Sequence, residues 1–524
     1  MKKKQKIYQK VSLSRASFDA VLFDLDGVIT QTAVVHASVW KKMFDGYLKD
    51  KMGKDFLPFD ENEDYNRYVD GKPRYKGVES FLQSRGIKIP WGKPEDDPGR
   101  ETVCGLGNAK NKMFREYLKK HKVKVFPNVE NLLQTLKKYG YKKAIISSSK
   151  NSREVLKSAG IDGFFDVKVD GVDAARLNLK GKPNPDIFLE ASARCGVKPG
   201  RAVIFEDAQA GVEAGRRGNF GGVIGVDRKG QPEELIKHGA GCLIDHLSRV
   251  EIVKEKEQKK RPIPELGSAL EKGEKIRSLF VEKKAAVFLD YDGTLTPIVS
   301  RPELAIIGSK MKKTVQELTK RCFVAVVSGR DLEDVRNLVG LDHILYSGSH
   351  GFDIMGPQGE RMGYQKGKEF YSQLQKAEHF LRDKLNNVEG ALVEKKKFSI
   401  AVHFRLVDKK DYKYVEDCVN KVIGKYPQMR KSYGKKVFEV QPDLDWNKGK
   451  ALLWILSSMR LDIPCVLPLY IGDDLTDEDA FQSLQGRGLG IVVGEENRPT
   501  AADYRLNNPD EVQAFLETIT KIMS

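Results

Sequence analysis

Leu22-Phe-Asp-Leu-Asp-Gly-Val-Ile-Thr30 and Phe288-Leu-Asp-Tyr-Asp-Gly-Thr-Leu-Thr296 are two versions of one pattern, and each half of the chain contains one. In each, an apolar run typical of a buried strand ends in two carboxylates, two residues apart, followed by glycine. Because side chains at i and i+2 of an extended segment project to the same side, both carboxylates can face one reaction centre. The pattern predicts one nucleophile and one proton carrier in each pair, Asp24 with Asp26 and Asp290 with Asp292.

The composition favours a globular protein with at least two domains. A chain of 524 residues is too long for a single hydrophobic core, and 40% of its residues are hydrophobic. The net charge of +17 would suit a nucleic-acid-binding protein, but lysines and acidic residues are interspersed along the whole chain. We therefore interpret the charge as a solvated surface that attracts small anions. We expect no nucleic-acid partner and keep nucleic-acid binding as the weaker alternative.

The cysteines and the apolar segments bear on cellular location. None of the six cysteines has the spacing of a Cys-x-x-Cys or other metal-binding pattern, which predicts free thiols in a reducing compartment. No apolar segment follows the basic start of the chain, and none approaches the roughly 20 residues needed to cross a bilayer. We expect a soluble, cytoplasmic protein without a membrane partner. The sequence does not predict its oligomeric state.

Strand-like and helical patterns alternate in both halves, which predicts two tandem α/β domains, each with a doubly wound parallel sheet. The predicted organisation is a basic tail (1–17), a first domain (18–248), a charged linker with a helix (249–283) and a second domain (284–524). The first domain is interrupted at about 33–123 by helical patterns. The second is interrupted at about 355–445 by alternating strand-like segments. We expect these insertions to be a helical lid and an α+β lid that exclude water from a phosphate site.

Further motifs of the first half carry phosphate- and metal-binding groups. Hydroxyls end a strand at Ile145-Ile-Ser-Ser-Ser-Lys-Asn151, just before a predicted helix, where backbone N–H groups and hydroxyls can bind phosphate. A lysine follows in a proline-flanked turn, and two carboxylates end another strand. Mg²⁺ prefers a few hard oxygen ligands and leaves room for phosphate. The predicted Mg²⁺ ligands are Asp24, Asp26, Glu206 and Asp207, and the predicted phosphate contacts are Ser147, Ser149, Lys150, Asn151 and Lys182.

The second half repeats these parts in the same order. They are Val326-Val-Ser-Gly-Arg330, Trp446-Asn-Lys-Gly-Lys450 and Ile471-Gly-Asp-Asp-Leu-Thr-Asp-Glu478. Each motif alone has a simpler explanation, because serines and acidic residues often begin helices and lysines often lie on surfaces. The same order in both halves favours a shared chemistry over these explanations.

The order and spacing of the motifs resemble those of the haloacid dehalogenase superfamily of phosphotransferases in both halves. The first half resembles the β-phosphoglucomutase-like subgroup over nearly its whole length. The second half resembles trehalose-6-phosphate phosphatases, also over most of its length. The motifs that carry the first resemblance are Asp24-Leu-Asp-Gly-Val-Ile-Thr, Thr32, His36, Ser147-Ser-Ser-Lys-Asn, Gly181-Lys-Pro and Phe205-Glu-Asp, and those that carry the second are Asp290-Tyr-Asp-Gly-Thr-Leu, Ser328-Gly-Arg, Ser349-His-Gly, Ser399-Ile-Ala-Val-His-Phe-Arg405, Trp446-Asn-Lys-Gly and Gly472-Asp-Asp.

For the second half, the resemblance implies that Asp290 attacks phosphorus to form an aspartyl-phosphate. Asp292 would protonate the departing sugar oxygen and then activate water. Mg²⁺ would be held by Asp290, Asp473 and the backbone carbonyl of Asp292, while Ser328 and Lys448 neutralise the phosphoryl oxygens. The other predicted substrate contacts are Gly329, Arg330, His350 and Gly351, with Glu394, His403, Arg405 and Glu439 on the lid.

For the first half, the resemblance implies a parallel set of residues. Asp24 would be the nucleophile and Asp26 the proton carrier. Thr32 and His36 would link lid closure to Asp26, and Arg74 would hold a distant phosphate. Two positions depart from the family patterns: Gln31 stands where aspartate is frequent, and Gln441 stands where arginine is common. The second departure predicts weaker affinity or a shifted substrate preference.

We expect the second domain to hydrolyse trehalose 6-phosphate with Mg²⁺. We expect the first to be a β-phosphoglucomutase or a related phosphatase acting on glucose phosphates. Two alternatives stay open. The domains could be two broad sugar-phosphate phosphatases, or one domain could bind a sugar phosphate without turnover and regulate its neighbour. The complete acid/base and metal carboxylates favour catalysis, because a pure binder needs neither.

Overall fold

The computed structural model describes residues 7–53, 56–254, 260–299, 301–362, 368–434 and 436–523. Parts of the predicted tail (1–6), linker (255–259) and second lid (363–367 and 435) therefore lie outside the described residues. Contacts divide the chain into two compact units, residues 1–254 with 463–465 and residues 255–462 with 466–524. Each unit is built on its own α/β sheet, so the predicted fold class is confirmed.

Unit 1 is an α/β unit with a helical insertion. Its strands are β1 (Val11–Ser14), β2 (Ala20–Asp24), β3 (Lys142–Ile146), β4 (Val167–Val169), β5 (Ala202–Glu206), β6 (Gly222–Val226), β7 (Cys242–Ile244) and β8 (Val250–Val253). Its helices are α1 (Thr32–Met52), α2 (Arg74–Ser84), α3 (Val103–Lys120), α4 (Val129–Lys138), α5 (Ser152–Ala159), α6 (Gly171–Arg176), α7 (Asp186–Arg194), α8 (Gln209–Arg217) and α9 (Pro232–His238). Six strands form a parallel sheet in the order β4-β3-β2-β5-β6-β7.

Strand β2 shows why the sequence of this sheet is apolar without alternation. Val21 and Phe23 join the core on one side of the sheet, while Ala20 and Leu22 join the core on the other. Helices cover both faces of a parallel sheet, so both sets of side chains are buried.

The insertion between β2 and β3 has a hydrophobic core of its own. It contains α1, α2, α3 and a π-helical turn, Tyr65–Val69. The rings of Trp40, Phe44, Phe59 and Phe81 pack with centroids 4.2–5.2 Å apart. This insertion, the helical cap, lies where the first lid is expected.

Unit 2 has a larger sheet and an insertion of different structure. Its strands are β9 (Arg261–Pro262), β10 (Lys284–Leu289), β11 (Phe323–Val327), β12 (Leu345–Gly348), β13 (Asp353–Met355), β14 (Arg361–Met362), β15 (Leu392–Lys395), β16 (Ile400–His403), β17 (Met429–Gly434), β18 (Val437–Pro442), β19 (Val466–Gly472), β20 (Leu489–Val493), β21 (Pro499–Thr500) and β22 (Tyr504–Leu506). Its helices are α10 (Gly273–Glu282), α11 (Ser309–Thr319), α12 (Leu332–Val339), α13 (Tyr371–Leu385), α14 (Tyr412–Lys425), α15 (Lys448–Ser458), α16 (Glu478–Leu484) and α17 (Pro509–Ile522).

Eight strands of unit 2 form one sheet in the order β14-β13-β12-β11-β10-β19-β20-β22, which is antiparallel only at β12–β13 and β13–β14 within the described residues. Strands β15-β16-β18-β17 form a separate antiparallel sheet. Helices α13 and α14 pack on one face of it around a third core. This insertion, the α+β cap, lies where the second lid is expected.

The first Asp of each Asp-x-Asp-Gly pattern lies at the centre of its sheet. Strand β2 lies between β3 and β5, and β10 lies between β11 and β19. The chain runs from β2 to β3 on one side and reaches β5 on the other side later, and β10 has β11 and β19 as the corresponding neighbours. Such a reversal of strand order opens a crevice at the carboxyl ends of the strands. Asp24 ends β2, and Asp290 directly follows β10 at this crevice.

Two sequence predictions need correction. Residues 11–14, inside the predicted basic tail, form strand β1, which pairs in parallel with β8 and buries Val11 and Leu13 completely. Four residues directly after a lysine-rich segment are too few to give a strand pattern. Cys242 and Cys465 form a disulfide bond, so the prediction of free thiols is wrong for this pair. Their separation of 223 residues leaves no local spacing to detect.

Among the helices of the described ranges, none has both the length and the apolar composition required to cross a membrane.

Candidate active sites

In unit 1, the carboxylate of Asp24 lies beside a buried lysine. Lys182 Nζ is 2.5 Å from Asp24 Oδ1 and 2.7 Å from Glu206 Oε2, and all three side chains are at most 9% exposed. Burial and the nearby charge of Glu206 raise the pKa of Asp24 well above its usual range, although Lys182 opposes this. A buried charge needs such a partner, and Lys182 compensates the two acids.

The acidic residues of unit 1 form a compact group. Ligand oxygens of Asp24, Glu206 and Asp207 all lie within 4.8 Å of one another, and all three residues are buried. Gly27 has φ +95°, and a Cβ at this position would lie 2.0 Å from Asp207 Oδ2. The glycine of the motif is therefore required for the approach of Asp207. Three hard oxygen donors in one place fit Mg²⁺.

Asp26 is surrounded by groups from both the core and the helical cap. Thr32 Oγ1 donates to Asp26 Oδ1, His36 Nε2 lies 3.4 Å from the same oxygen, and Ser147 Oγ donates to Oδ2 at 3.4 Å. Burial disfavours the charged carboxylate, but His36 and Thr32 outweigh it and lower the pKa of Asp26. The structure thus brings Thr32, His36 and Ser147 to Asp26.

Lys110 of α3 is a site residue that the sequence analysis did not identify. Its Nζ lies 2.6 Å from His36 Nδ1 and 5.0 and 4.9 Å from the ring centroids of Trp40 and Phe114. Burial, reinforced by the charge of Arg74, lowers the pKa of Lys110 to about 7. In a lysine-rich segment no local pattern distinguishes this lysine, because its burial depends on the packing of α1 against α3.

The predicted phosphate contacts of unit 1 are partly assembled. Arg74 Nη2 and Asn151 Nδ2 both donate to Asn111 Oδ1, at 2.9 and 2.7 Å. The backbone N–H of Asn151 donates to Ser149 Oγ. Arg74, Asn151 and Ser149 therefore lie together where the cap meets the core, whereas the side chain of Lys150 is exposed.

In unit 2, a buried lysine again lies beside the nucleophile candidate. Lys448 Nζ is 2.8 Å from Asp290 Oδ1 and 2.6 Å from Asp477 Oδ1, and Tyr470 donates its hydroxyl to Asp477 at 2.7 Å. Burial raises the pKa of Asp290 well above its usual range, while Lys448 opposes this. Ligand oxygens of Asp290, Asp473 and Asp477 lie within 4.8 Å of one another, which fits Mg²⁺.

Asp477 is the residue of this group that the sequence analysis did not name as a ligand. It stands in the quoted acidic motif, three residues beyond Asp474, and caps the turn that starts there. From the sequence, an acidic residue at the start of a helix is explained by the helix dipole alone. The contact of Asp477 with Lys448 is therefore known only from the structure.

The side chain of Asp292 pairs with Arg330 of the Ser-Gly-Arg motif. Nε and Nη2 of Arg330 donate to the two carboxylate oxygens of Asp292 at 2.7 and 2.8 Å, and Nη1 donates to Asp334 at 2.9 Å. This bidentate geometry fixes the carboxylate plane. The Asp292 side chain remains 44% exposed and lines the cavity described next.

A cavity of about 550 Å³ lies between the core of unit 2 and the α+β cap. This volume is in the range of small-molecule sites. The predicted residues that line it are Asp290, Asp292, Ser328, Gly329, Arg330, His350, Glu394, His403, Arg405, Glu439, Lys448 and Asp473. Gly351, another predicted substrate contact, packs on α15. A Cβ added to Gly351 would lie 2.3 Å from Ala451 Cβ.

Glu439 connects the cap with the core loops that carry His350 and Gly329 in unit 2. It accepts hydrogen bonds from Ser399 Oγ at 2.7 Å and Lys396 Nζ at 3.2 Å, and His350 Nε2 lies 2.7 Å away. Burial disfavours its charged form, but Lys396 and His350 hold the pKa of Glu439 well below its usual range. Lys396 also donates to the carbonyl of Gly329 at 2.8 Å, a contact that the sequence did not indicate.

The remaining cap residues form polar pairs in the same cavity. His403 Nε2 lies 2.7 Å from Glu394 Oε2, and Arg405 donates to the carbonyl of Val299. Gln441, which stands in place of an arginine, is buried and donates to Ser432 Oγ at 3.3 Å. Ser432 lines the cavity, so Gln441 contacts the cavity wall only indirectly, through this hydrogen bond.

Comparison with protein families gives one match for each unit. The model of haloacid dehalogenase-like hydrolases matches residues 18–219, and the model of trehalose-phosphatases matches residues 288–510.

Individual relatives agree with this division. A β-phosphoglucomutase of Mycobacterium bovis is 46% identical over 237 residues, which cover 44% of this chain and 90% of that protein. A trehalose-phosphate phosphatase of Mycobacterium leprae is 33% identical over 408 residues, which cover 75% of this chain and 92% of that protein. An uncharacterised glycosyl hydrolase of Mycobacterium tuberculosis is 37% identical over 523 residues, but the chain spans only 38% of its length.

Proposed function

Because the chain belongs to the haloacid dehalogenase-like hydrolases and has a trehalose-phosphatase domain in its second half, we propose that this domain hydrolyses trehalose 6-phosphate to trehalose and phosphate. The observation that carries the proposal is the position of the buried Asp290–Lys448 pair in a cavity whose other wall is a cap rich in polar side chains. Hydroxyl-rich sugars require such side chains for orientation, while the phosphate requires the cation.

The proposed reaction proceeds in two steps. An oxygen of Asp290 attacks phosphorus, the bond from phosphorus to the sugar oxygen breaks, and Asp292 gives this oxygen its proton. Asp292 then takes a proton from the water that attacks the aspartyl-phosphate, which releases phosphate and restores Asp290. Mg²⁺ held by Asp290, Asp473 and Asp477 would neutralise phosphoryl charge.

Lys448 and Arg330 position the reacting carboxylates. Lys448 holds one oxygen of Asp290 and offers its charge to the phosphoryl group as it moves. Arg330 orients Asp292, and its hydrogen bonds must rearrange when Asp292 carries a proton, since each of the two oxygens accepts one of them.

For the first domain we propose phosphoryl transfer between positions of a glucose phosphate, as in β-phosphoglucomutases. Asp24 would receive the phosphoryl group, Asp26 would move the proton, and Lys182 would neutralise charge. Mg²⁺ would be held by Asp24, Glu206 and Asp207. Support comes from the cap residues His36, which reaches Asp26, and Lys110, which contacts His36 on its other ring nitrogen, so that proton transfer at Asp26 can depend on a closed cap. A cytoplasmic location stays a prediction from the sequence.

The test measures phosphate release from trehalose 6-phosphate by the full chain, with and without Mg²⁺. Asp290→Asn should abolish Mg²⁺-dependent release, while the matched variant Asp24→Asn should retain it. Conversion of β-glucose 1-phosphate to glucose 6-phosphate should show the opposite dependence. Full trehalose 6-phosphate hydrolysis by Asp290→Asn would contradict the assignment, and release of phosphate without glucose 6-phosphate would favour a broad phosphatase in the first domain.

A further inference from the structure

Lys229 connects the core of unit 1 with the helical cap. It follows β6, and its Nζ lies 2.5 Å from Asn66 Oδ1 and 2.6 Å from Asp70 Oδ2. The ring centroid of Tyr65 is 5.5 Å from the same nitrogen. The side chain of Lys229 is 27% exposed and that of Asp70 is 13% exposed, so water screens the pair only partly.

Asp70 brings a further negative charge toward the acidic residues of the first site. Asp70, Lys229 and Asp207 line one small cleft. Without a cation between them, the carboxylates of Asp70 on the cap and Asp207 on the core would repel each other and push the cap outward. The positive charge of Lys229 attracts Asp70 and thereby offsets the repulsion between Asp70 and Asp207.

The cap segment 66–74 covers the loops that carry the catalytic residues. Ser148 Oγ donates to the carbonyl of Gly71 at 3.0 Å. A Cβ on Gly71 would lie 3.3 Å from Ala208 Cβ, and one on Gly181 would lie 2.5 Å from Pro73 Cγ. The segment thus touches the loops of Ser147, Lys182 and Asp207. These contacts are one hydrogen bond between uncharged groups and two close van der Waals approaches. Lys229 adds a hydrogen bond between charged groups.

We propose that Lys229 is a positioning residue of the first active site, which holds Asn66 and Asp70 so that segment 66–74 stays against the core and excludes water from phosphorylated Asp24. The inference rests on the phosphoryl transfer proposed for this site. In the productive reaction, a sugar hydroxyl oxygen forms the new bond to phosphorus, the bond from phosphorus to Asp24 breaks, and Asp26 takes the hydroxyl proton. With the segment displaced, water replaces the hydroxyl and phosphate is released.

The experiment uses the full chain with Asp290→Asn, which silences the second domain. β-Glucose 1-phosphate is the probe, and the ratio of phosphate released to glucose 6-phosphate formed is the readout. Lys229→Met should raise this ratio about tenfold, the order of magnitude of one charge-assisted contact. Lys229→Arg should restore most of the transfer. Lys168→Met is the matched control. Lys168 lies on β4, its side chain is also 27% exposed, and its Nζ pairs with Asp162 Oδ1 at 2.7 Å.

A second readout does not depend on catalysis. Amide hydrogen exchange over residues 65–74 should become about tenfold faster in Lys229→Met, because local opening limits exchange there. Asp70→Asn removes the ion pair and the repulsion of Asp207 together, so it should accelerate exchange less than Lys229→Met, and Lys229→Gln decides the question if Lys229→Met does not fold. An unchanged ratio and unchanged exchange, or equal acceleration in Lys168→Met, would overturn the proposal. Absence of glucose 6-phosphate from the parent would instead refute the proposed mutase activity, and the exchange measurement would still decide the role of Lys229.

Discussion

Lys448 Nζ lies 2.8 Å from Asp290 Oδ1, and Lys182 stands in the same relation to Asp24 in the first domain, at 2.5 Å. The two lysines come from different local structures. Lys448 is the first residue of α15, whereas Lys182 lies in the turn before α7. The contact between the first Asp of the motif and a buried lysine is therefore the same in both domains, although the backbone that supplies the lysine differs.

Lys448→Met should nearly abolish hydrolysis of trehalose 6-phosphate. The change removes a preorganised cation from the phosphoryl site, a loss of about 10²–10³ in kcat. It also leaves Asp290 and Asp477 buried without their partner, at a cost of about 3–5 kcal/mol in the free energy of unfolding. Steady-state kinetics and urea unfolding measure the two effects. Lys450→Met, on the same helix but with a side chain 41% exposed, is the control, and equal kcat in both variants would contradict the role of Lys448.

Gly293→Ala should weaken Mg²⁺ binding in the second domain. Gly293 has φ +84°, and a Cβ there would lie 2.1 Å from Asp473 Oδ2, so the carboxylate must move. We expect the Mg²⁺ concentration for half-maximal phosphate release to rise about 10- to 100-fold. Gly359→Ala separates this effect from backbone strain, because Gly359 has φ +82° with open space around it. An equal response of both variants would show that strain, and not the approach of Asp473, is responsible.

Gln441→Arg should not improve the second domain, although arginine is common at this position in the family that the sequence resembles. Gln441 is buried, and its cross-strand partner in the cap sheet is Arg430. Two guanidinium groups directly opposite each other destabilise a sheet, here by about 1 kcal/mol. Thermal unfolding should show a lower Tm, and adding Arg430→Gln should restore it. A gain in kcat/KM without a loss of stability would contradict this explanation.

Lys110→Met should change the dependence of stability on pH. Burial lowers the pKa of Lys110 from 10.5 to about 7. Between these values the unfolded chain binds more protons at this position than the folded protein, so this lysine makes stability rise with pH from about 7 to 10. The difference in Tm between Lys110→Met and the parent should therefore be more positive at pH 7 than at pH 9.5. An equal difference in Tm at pH 7 and at pH 9.5 would refute the lowered pKa of Lys110.

The sequence predicted those parts of the sites that depend on local patterns. Asp24 and Asp290 were found because a buried strand, a tight turn and two carboxylates follow one another within a few residues. The pairing of Cys242 with Cys465 and the burial of Lys110 depend on segments far apart in the chain, which periodicity cannot connect. Strand β1 was missed because it is only four residues long.

Each cap has a hydrophobic core separate from the sheet below it. Rings around Phe44 fill the helical cap, and the α+β cap packs its own helices on its own sheet. Much of such an insertion can change without repacking the catalytic scaffold, except where cap residues such as Phe114 of α3 also belong to the core of the sheet. We therefore expect grafting of one cap onto a related scaffold to change which sugar is bound more than the chemistry at Asp24 or Asp290.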